Sequence, residues 1–212
     1  YRVFTPYWRS CTAALPRLDA PLDAPTALPP LPEGLEALTP LSIDALELLP
    51  RIRWYEGLAA HWQPGEQGAW RLFDTFLAQA LNGYQAQRDI PADPGTSRMG
   101  AHLHCGEISP RRLLAILRTR GLETQEGAAA FIRELGWREF SHQLLYHFPQ
   151  TPEQPLNPQF ANFPWREDEA GTLLEAWQRG RTGIPIVDAG MRELWQTGWM
   201  HNRVRMITAS LL

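Results

Sequence analysis

Proline divides this chain into two parts that cannot share one architecture. Eight prolines lie between Leu15 and Arg51, together with six acidic residues and a single basic one, Arg17. Proline at this density breaks helix interiors and favours extended backbone. We therefore predict that residues 1–65 form a connector that is mostly irregular, with a short extended aromatic segment over residues 1–10.

Beyond residue 65 the pattern of apolar residues becomes helical. Apolar residues recur at three- and four-residue steps from residue 70 to residue 84, and Ser109 with Pro110 is a typical N-cap and first helical turn. We predict helices over residues 66 to about 83, 110–120, 126–147, 172–179, 186–196 and 201–212. No segment shows a clear alternation of apolar and polar residues of the kind that predicts a β-strand. The prediction is an all-α domain over residues 66–212, preceded by the proline-rich extended arm.

Composition excludes several classes of function. All 20 basic residues are arginine, so these residues contain no P-loop lysine, Schiff-base lysine or lysine general base. Cys11 and Cys105 cannot form a disulfide framework in a chain of 212 residues. His102, His104 and Cys105 lack further ligands at zinc spacing, so we expect core or loop histidines and no metal. No apolar run is long enough to cross a membrane, and a cytoplasmic location is expected.

The longest predicted helix carries an acid, an indole, a guanidinium and a hydroxyl on one stripe. At about 100° per residue, an arc of about 100° holds Glu134, Trp137, Arg138 and Ser141. Such a stripe could recognise a flat polar ligand such as a base. It could equally be a solvated face on which Glu134 and Arg138 form an ordinary ion pair, and the pattern alone leaves both readings open.

Two further segments offer groups that bind phosphates or bases. The loop over residues 95–100 combines two hydroxyls, a flexible backbone and an arginine, which suits a phosphate, although turn chemistry also explains it. Near the end of the chain, Asn202 can make paired hydrogen bonds to a base edge. Arg203 and Arg205 can face phosphates there. A capped amphipathic helix is the alternative for this last segment.

Taken together and in order, these segments resemble the flavin-binding helical domain of the DNA photolyase/cryptochrome family. The most specific stretch, residues 180–192, reads GRTGIPIVDAGMR and is followed by TGWMHNR at residues 197–203. Other matching stretches are residues 84–91, 95–98, 102–110, 134–140 and 146–149. The match is essentially continuous from residue 84 to residue 212, and residues 1–9 resemble the connector between the family's two domains.

The resemblance implies an enzyme, a deoxyribodipyrimidine photo-lyase closest to class I. Such an enzyme repairs cyclobutane pyrimidine dimers by electron transfer from photoexcited reduced FAD to a flipped-out dimer. The alternative is a cryptochrome-type blue-light receptor that uses the same flavin pocket without repair. The resemblance also implies UV-damaged DNA as the partner of a monomer, and a second antenna chromophore in an N-terminal α/β domain that we expect outside these residues.

Individual residues acquire roles by their position in the family's motifs. The catalytic residues implied are Glu134, Trp137 and Asn202. The FAD contacts implied are Tyr84, Thr96, Ser97, Arg98, Met99, Gly100, Phe131 and Arg205. The DNA contacts implied are Arg88, Glu134, Trp137, Arg138, Asn202, Arg203 and Met206. Trp165 fits the surface end of the electron relay, and we expect the other relay tryptophans and flavin-contacting acids beyond Leu212.

Overall fold

The computed structural model describes residues 1–30, 32, 34, 41–164, 168 and 171–212. Within them the chain forms ten α-helices and no strand, so the predicted all-α class is confirmed. The helices are α1 (Phe4–Ala14), α2 (Glu56–His61), α3 (Glu66–Gln79), α4 (Tyr84–Gln87), α5 (Gly100–His104), α6 (Pro110–Thr119), α7 (Glu126–His147), α8 (Thr172–Gln178), α9 (Pro185–Thr197) and α10 (Asn202–Ser210). No helix of these ranges is both long and apolar enough to cross a bilayer.

The helices with clear end signals form where the sequence predicts them. The predicted span 126–147 is the span of α7. Ser109 caps α6, because its Oγ accepts a hydrogen bond of 3.2 Å from the backbone N–H of Arg111. Helices α8, α9 and α10 also begin and end within two residues of their predicted bounds.

Two predictions of local structure were wrong. Residues 4–14 form helix α1 rather than an extended segment. Pro6 is compatible with this helix because it lies in the first turn, where backbone N–H groups have no intrahelical acceptor. Helix α3 ends at Gln79 instead of about residue 83. A turn over residues 80–83 follows, and the short helix α4 begins at Tyr84.

The hydrophobic core has a large and a small cluster of buried side chains. The large cluster joins α3, α4, α5, α6 and α7 around Phe73, Phe76, Leu113, Leu117 and Phe131. The small cluster joins α9 and α10 through Val187, Met191, Met200 and Val204. Gly190 allows this second contact, since a β-carbon at that position would overlap the side chain of Val204. The close α9–α10 pair fixes where the first turn of α10 lies.

The first 65 residues pack against the helices that follow. Helix α1 lies on α7, and α2 lies on α9. Trp62 reinforces the second contact, because its indole Nε1–H donates a 2.6 Å hydrogen bond to the carbonyl of Thr197. The segment thus contains two helices among its irregular stretches. A domain boundary at residue 65 stays a prediction.

Candidate functional site

Four charged side chains from three parts of the fold form one chain of ion pairs. Arg88, at the end of α4, contacts Glu134 of α7 through Nη1, and its Nε lies 3.5 Å from Oδ1 of Asp89. The same Asp89 oxygen accepts a 2.9 Å hydrogen bond from Nε of Arg203 on α10 and lies 2.9 Å from Nη2 of that arginine as an ion pair. We call these four residues the charge cluster. It brings together three predicted site residues, Arg88, Glu134 and Arg203, that are far apart in sequence.

Hydrogen bonding shifts the pKa values of Arg88, Asp89 and Arg203 in the direction that favours their charged forms. The hydrogen bond from Arg203 is the main cause of a lowered pKa at Asp89, and the hydrogen bond to Asp89 is the main cause of a raised pKa at Arg203. Burial acts to lower the pKa of Arg88, but the hydrogen bond and charge of Glu134 outweigh it, so this pKa is also raised. Arg88, Asp89 and Arg203 are therefore charged at neutral pH.

Trp137 lies on α7, three residues after Glu134, and presents one free face. Its other face is stacked on Phe4 of α1, with 3.6 Å between ring centroids and 8° between ring planes. Phe4 in turn is nearly parallel to Trp8, with 10° between planes and centroids 5.9 Å apart. Trp137 nevertheless remains 44% exposed. A further flat group can therefore stack on the face that Phe4 leaves free.

Helix α10 places its predicted site residues at the surface beside the charge cluster. Asn202, Arg205 and Met206 are all exposed. The helix begins with a histidine cap, because Nδ1 of His201 accepts a 3.1 Å hydrogen bond from the N–H of Arg203. Neither Glu134 nor Asn202 lines any of five well-formed cavities among the described residues. What connects their helices is the charge cluster.

The predicted phosphate-binding loop, residues 95–100, leads into helix α5, whose first residue has open space beside it. Thr96 and Ser97 are half-buried, and Ser97 Oγ accepts a 3.4 Å hydrogen bond from the N–H of Met99. Gly100 begins α5, and a β-carbon added there would meet no heavy atom within 4 Å. Arg98 has a positive φ of 52° and lays its guanidinium 4.2 Å from the ring centroid of Trp199. The open backbone suits an anion, while the Arg98 side chain is already stacked.

Tyr84, Phe131 and Met99 belong to the packed core. Each is at least nine-tenths buried, and the rings of Tyr84 and Phe131 meet edge to face with centroids 6.0 Å apart. Phe76 contacts both rings, with its centroid 5.3 Å from that of Tyr84 and 4.9 Å from that of Phe131. Burial raises the pKa of Tyr84 to about 12. These three side chains are part of the buried core and expose little surface of their own.

The ion pair between Glu134 and Arg138, one reading of the α7 stripe, does not form. Glu134 pairs with Arg88 instead, while Arg138 pairs with Glu139 and lies 3.4 Å from the carbonyl of Leu103. Trp165, the predicted relay residue, lies outside the residues that the structure describes. His102 is a core histidine as predicted, 3% exposed and paired with Glu107.

Three residues of this region were missed from the sequence. Asp89 lies in the matching stretch at residues 84–91, and its position next to an arginine was the available signal. The contact of Phe4 with Trp137 was not expected, because residues 1–10 were wrongly predicted to be extended. Trp199 gave no signal, because its contact with Arg98 joins residues about a hundred positions apart.

Comparison with known proteins places these features in a family. A family model described as the FAD binding domain of DNA photolyase matches residues 131–212. A deoxyribodipyrimidine photo-lyase from Agrobacterium fabrum is 44% identical over 220 residues, which cover 100% of this chain and 43% of that protein. The chain spans less than half the length of the first curated relatives that it matches.

Solved structures of both branches of the family resemble this fold. A bacterial class III photolyase from Agrobacterium tumefaciens has a TM-score of 0.80 at 42% identity, covering 100% of this chain and 43% of that chain. A cryptochrome from Synechocystis sp. PCC6803 has a TM-score of 0.81 at 30% identity, covering 100% and 44%. The expected likeness to class I stays a prediction. The chain belongs to the DNA photolyase/cryptochrome family, and its fold matches the helical FAD-binding domain of that family.

Proposed function

We propose that this chain is the FAD- and DNA-binding helical part of a longer enzyme that repairs cyclobutane pyrimidine dimers in a light-dependent reaction. The observation that carries the proposal is the charge cluster, which joins Arg88, Glu134 and Arg203 next to the open face of Trp137. The cluster supplies groups for a phosphate backbone and for a base edge, and the indole supplies an apolar surface.

Each of the proposed DNA-binding residues makes a different contact with a flipped-out dimer or with its flanking phosphates. A dimer is poorly stacked in the duplex, so extruding it costs less than extruding an intact base pair. Trp137 offers one free ring face as a wall for the extruded pyrimidines. The Glu134 carboxylate can accept from a pyrimidine N–H, and the Asn202 amide can both donate and accept. Arg88 and Arg203 can contact the flanking phosphates.

The cofactor part of the proposal rests on the loop over residues 96–100. Its half-buried hydroxyls, its open Gly100 and the free N–H groups at the start of α5 fit a pyrophosphate. Arg205 is exposed on α10, where it can face the flavin ring. Tyr84, Met99 and Phe131 would support that loop as packed core. FAD, when bound, supplies photoinduced one-electron donation, and the chain contributes placement, charge and exclusion of water.

The test uses the full-length protein that carries this chain and an oligonucleotide with one thymine dimer. We expect the dimer to disappear under blue light and to persist in darkness, because the electron donor must be photoexcited. The measurement is the number of remaining lesions after equal incubation in light and in darkness. Equal lesion counts in both would exclude repair.

A blue-light receptor is the second candidate, favoured by the likeness to the Synechocystis cryptochrome. It predicts a yellow flavoprotein whose absorption changes under blue light while dimer counts do not. Asn202 favours repair, because the family resemblance places aspartate at this position in plant-type cryptochromes. A colourless full-length protein after gentle purification would contradict both candidates.

A further inference from the structure

The carboxylate of Asp89 holds Arg203 by one edge of its guanidinium. Nε of Arg203 donates a 2.9 Å hydrogen bond to Oδ1 of Asp89, and Nη2 forms an ion pair with the same oxygen at 2.9 Å. The remaining nitrogen, Nη1, has Met206 Sδ at 3.6 Å as its recorded contact among the described residues. The Arg203 side chain is 41% exposed. One donor edge is thus fixed in place while the other stays available at the surface.

Asp89 also lies beside the second arginine of the charge cluster. Its Oδ1 is 3.5 Å from Nε of Arg88, whose Nη1 contacts Glu134. One oxygen atom therefore sets the distance between two guanidinium groups on different elements. Two guanidinium groups and two carboxylates give the cluster no net charge when all four are ionised.

We infer that Asp89 is a positioning residue that makes the protein prefer damaged over undamaged DNA. The inference rests on the proposed function. Asp89 does this in two ways, by fixing the guanidinium edge that receives a phosphate and by cancelling positive charge at the DNA-facing surface. It touches no reacting atom in either role.

The two effects act on different kinds of DNA binding. Sequence-independent binding follows the number of phosphates that positive charges neutralise, so a neutral cluster adds little to it. A fixed guanidinium edge, in contrast, favours the backbone geometry that brings a phosphate into its plane. A duplex distorted by an extruded dimer and a regular duplex present their phosphates at different positions. Fixing Arg203 therefore favours one of the two duplexes, which in our inference is the duplex distorted by the dimer.

The substitution Asp89→Asn removes the charge while keeping nearly the same shape. Arg203 then loses its charged partner and can turn toward a phosphate in any position. The affinity for undamaged DNA therefore rises most. We expect the ratio of affinities for dimer-containing and undamaged duplex to fall about tenfold, which corresponds to about 1.4 kcal/mol. The salt dependence of undamaged binding should steepen by about one released counterion.

Asp93→Asn is the matched control. Asp93 lies four residues further along, is exposed, and has no recorded ion pair among the described residues. Its substitution changes the net charge by the same amount without freeing an arginine. We expect it to leave the affinity ratio within about twofold of the wild-type ratio, since a lone exposed charge contributes little.

The measurement is equilibrium binding of the full-length variants in darkness, at several salt concentrations, with both duplexes. An affinity ratio for Asp89→Asn that equals the ratio for Asp93→Asn would overturn the inference. Arg203→Lys, which keeps the charge but cannot present two edges, should lower the ratio as well. Asp89→Glu should restore part of it. A wild-type protein without any preference for dimer DNA would instead contradict the proposed function itself.

Discussion

The aromatic core around Tyr84 and Phe131 and the charge cluster received their roles from the same resemblance, yet they are built differently. Tyr84 and Phe131 are almost fully buried and pack on each other and on Phe76. Arg88 and Glu134 are partly exposed and pair with each other instead. The first region stabilises the fold, whereas the second leaves groups that a ligand can reach. Substitutions in the two regions should therefore move different measurements.

Phe131→Ala should have the largest effect on stability. The ring is 2% exposed and lies at the centre of the large cluster. Truncating a buried phenylalanine costs about 3–5 kcal/mol through lost burial and the cavity that remains. Chemical denaturation of the full-length protein measures this. Phe160→Ala, at a ring that is 54% exposed, should cost much less, and equal losses would mean that burial of Phe131 is not what stabilises the fold.

Glu134→Ala should lower photorepair while leaving stability nearly unchanged. In the proposed site Glu134 accepts a hydrogen bond from a pyrimidine N–H and so orients the dimer. Misplacing a reacting group can lower a rate by about 10²-fold, so photorepair should fall to a few percent or less. Bound flavin and unfolding free energy should stay close to wild type, since a partly exposed ion pair contributes about 0–1 kcal/mol. Repair yield and flavin absorbance on the same sample decide the case. If flavin is lost together with repair, Glu134 is structural.

The contrast between the two regions also explains what could be predicted from the sequence. Helix α7 and the cap of α6 follow from local signals, namely periodicity, Ser109 and flanking turns. The charge cluster depends on how α4, α7 and α10 come together, and local patterns carry no information about that arrangement. The pattern on α7 alone allowed a pair between Glu134 and Arg138, but Glu134 pairs with Arg88 from another element.

The strongest sequence motif turned out to hold the scaffold together. Asp188 accepts hydrogen bonds from the backbone and hydroxyl of Thr182 and from the N–H of Gly183, closing the turn before α9. Gly190 lets α10 approach α9 at Val204. Among the described residues, these residues make contacts with one another and with Val204, Met200 and Thr208, all outside the predicted FAD and DNA contacts. They fix the start of α10 and therefore the position of Arg203, which is how a structural motif can accompany a function.

Trp137→Ala should weaken binding of dimer DNA without a comparable loss of stability. The indole is 44% exposed and offers one face, and a base that stacks on an aromatic ring contributes about 1–3 kcal/mol. Equilibrium binding to a dimer-containing duplex in darkness measures it. Trp195→Ala is the control, because this tryptophan of α9 is 74% exposed. An unchanged affinity for the lesion would contradict the role of Trp137 as a wall.

Phe4→Leu should have the smallest effect and tests how α1 contributes. Leucine keeps apolar volume at this buried position but loses the flat surface that lies parallel to Trp137. Parallel aromatic pairs contribute about 0.5–1.5 kcal/mol beyond their buried area, so dimer binding should weaken by no more than that amount. The loss arises because Trp137 is less well fixed, and it should disappear when residue 137 is already alanine. A double-mutant cycle of the two substitutions measures the coupling. Additive losses would mean that Phe4 acts on the fold of α1 rather than on the indole.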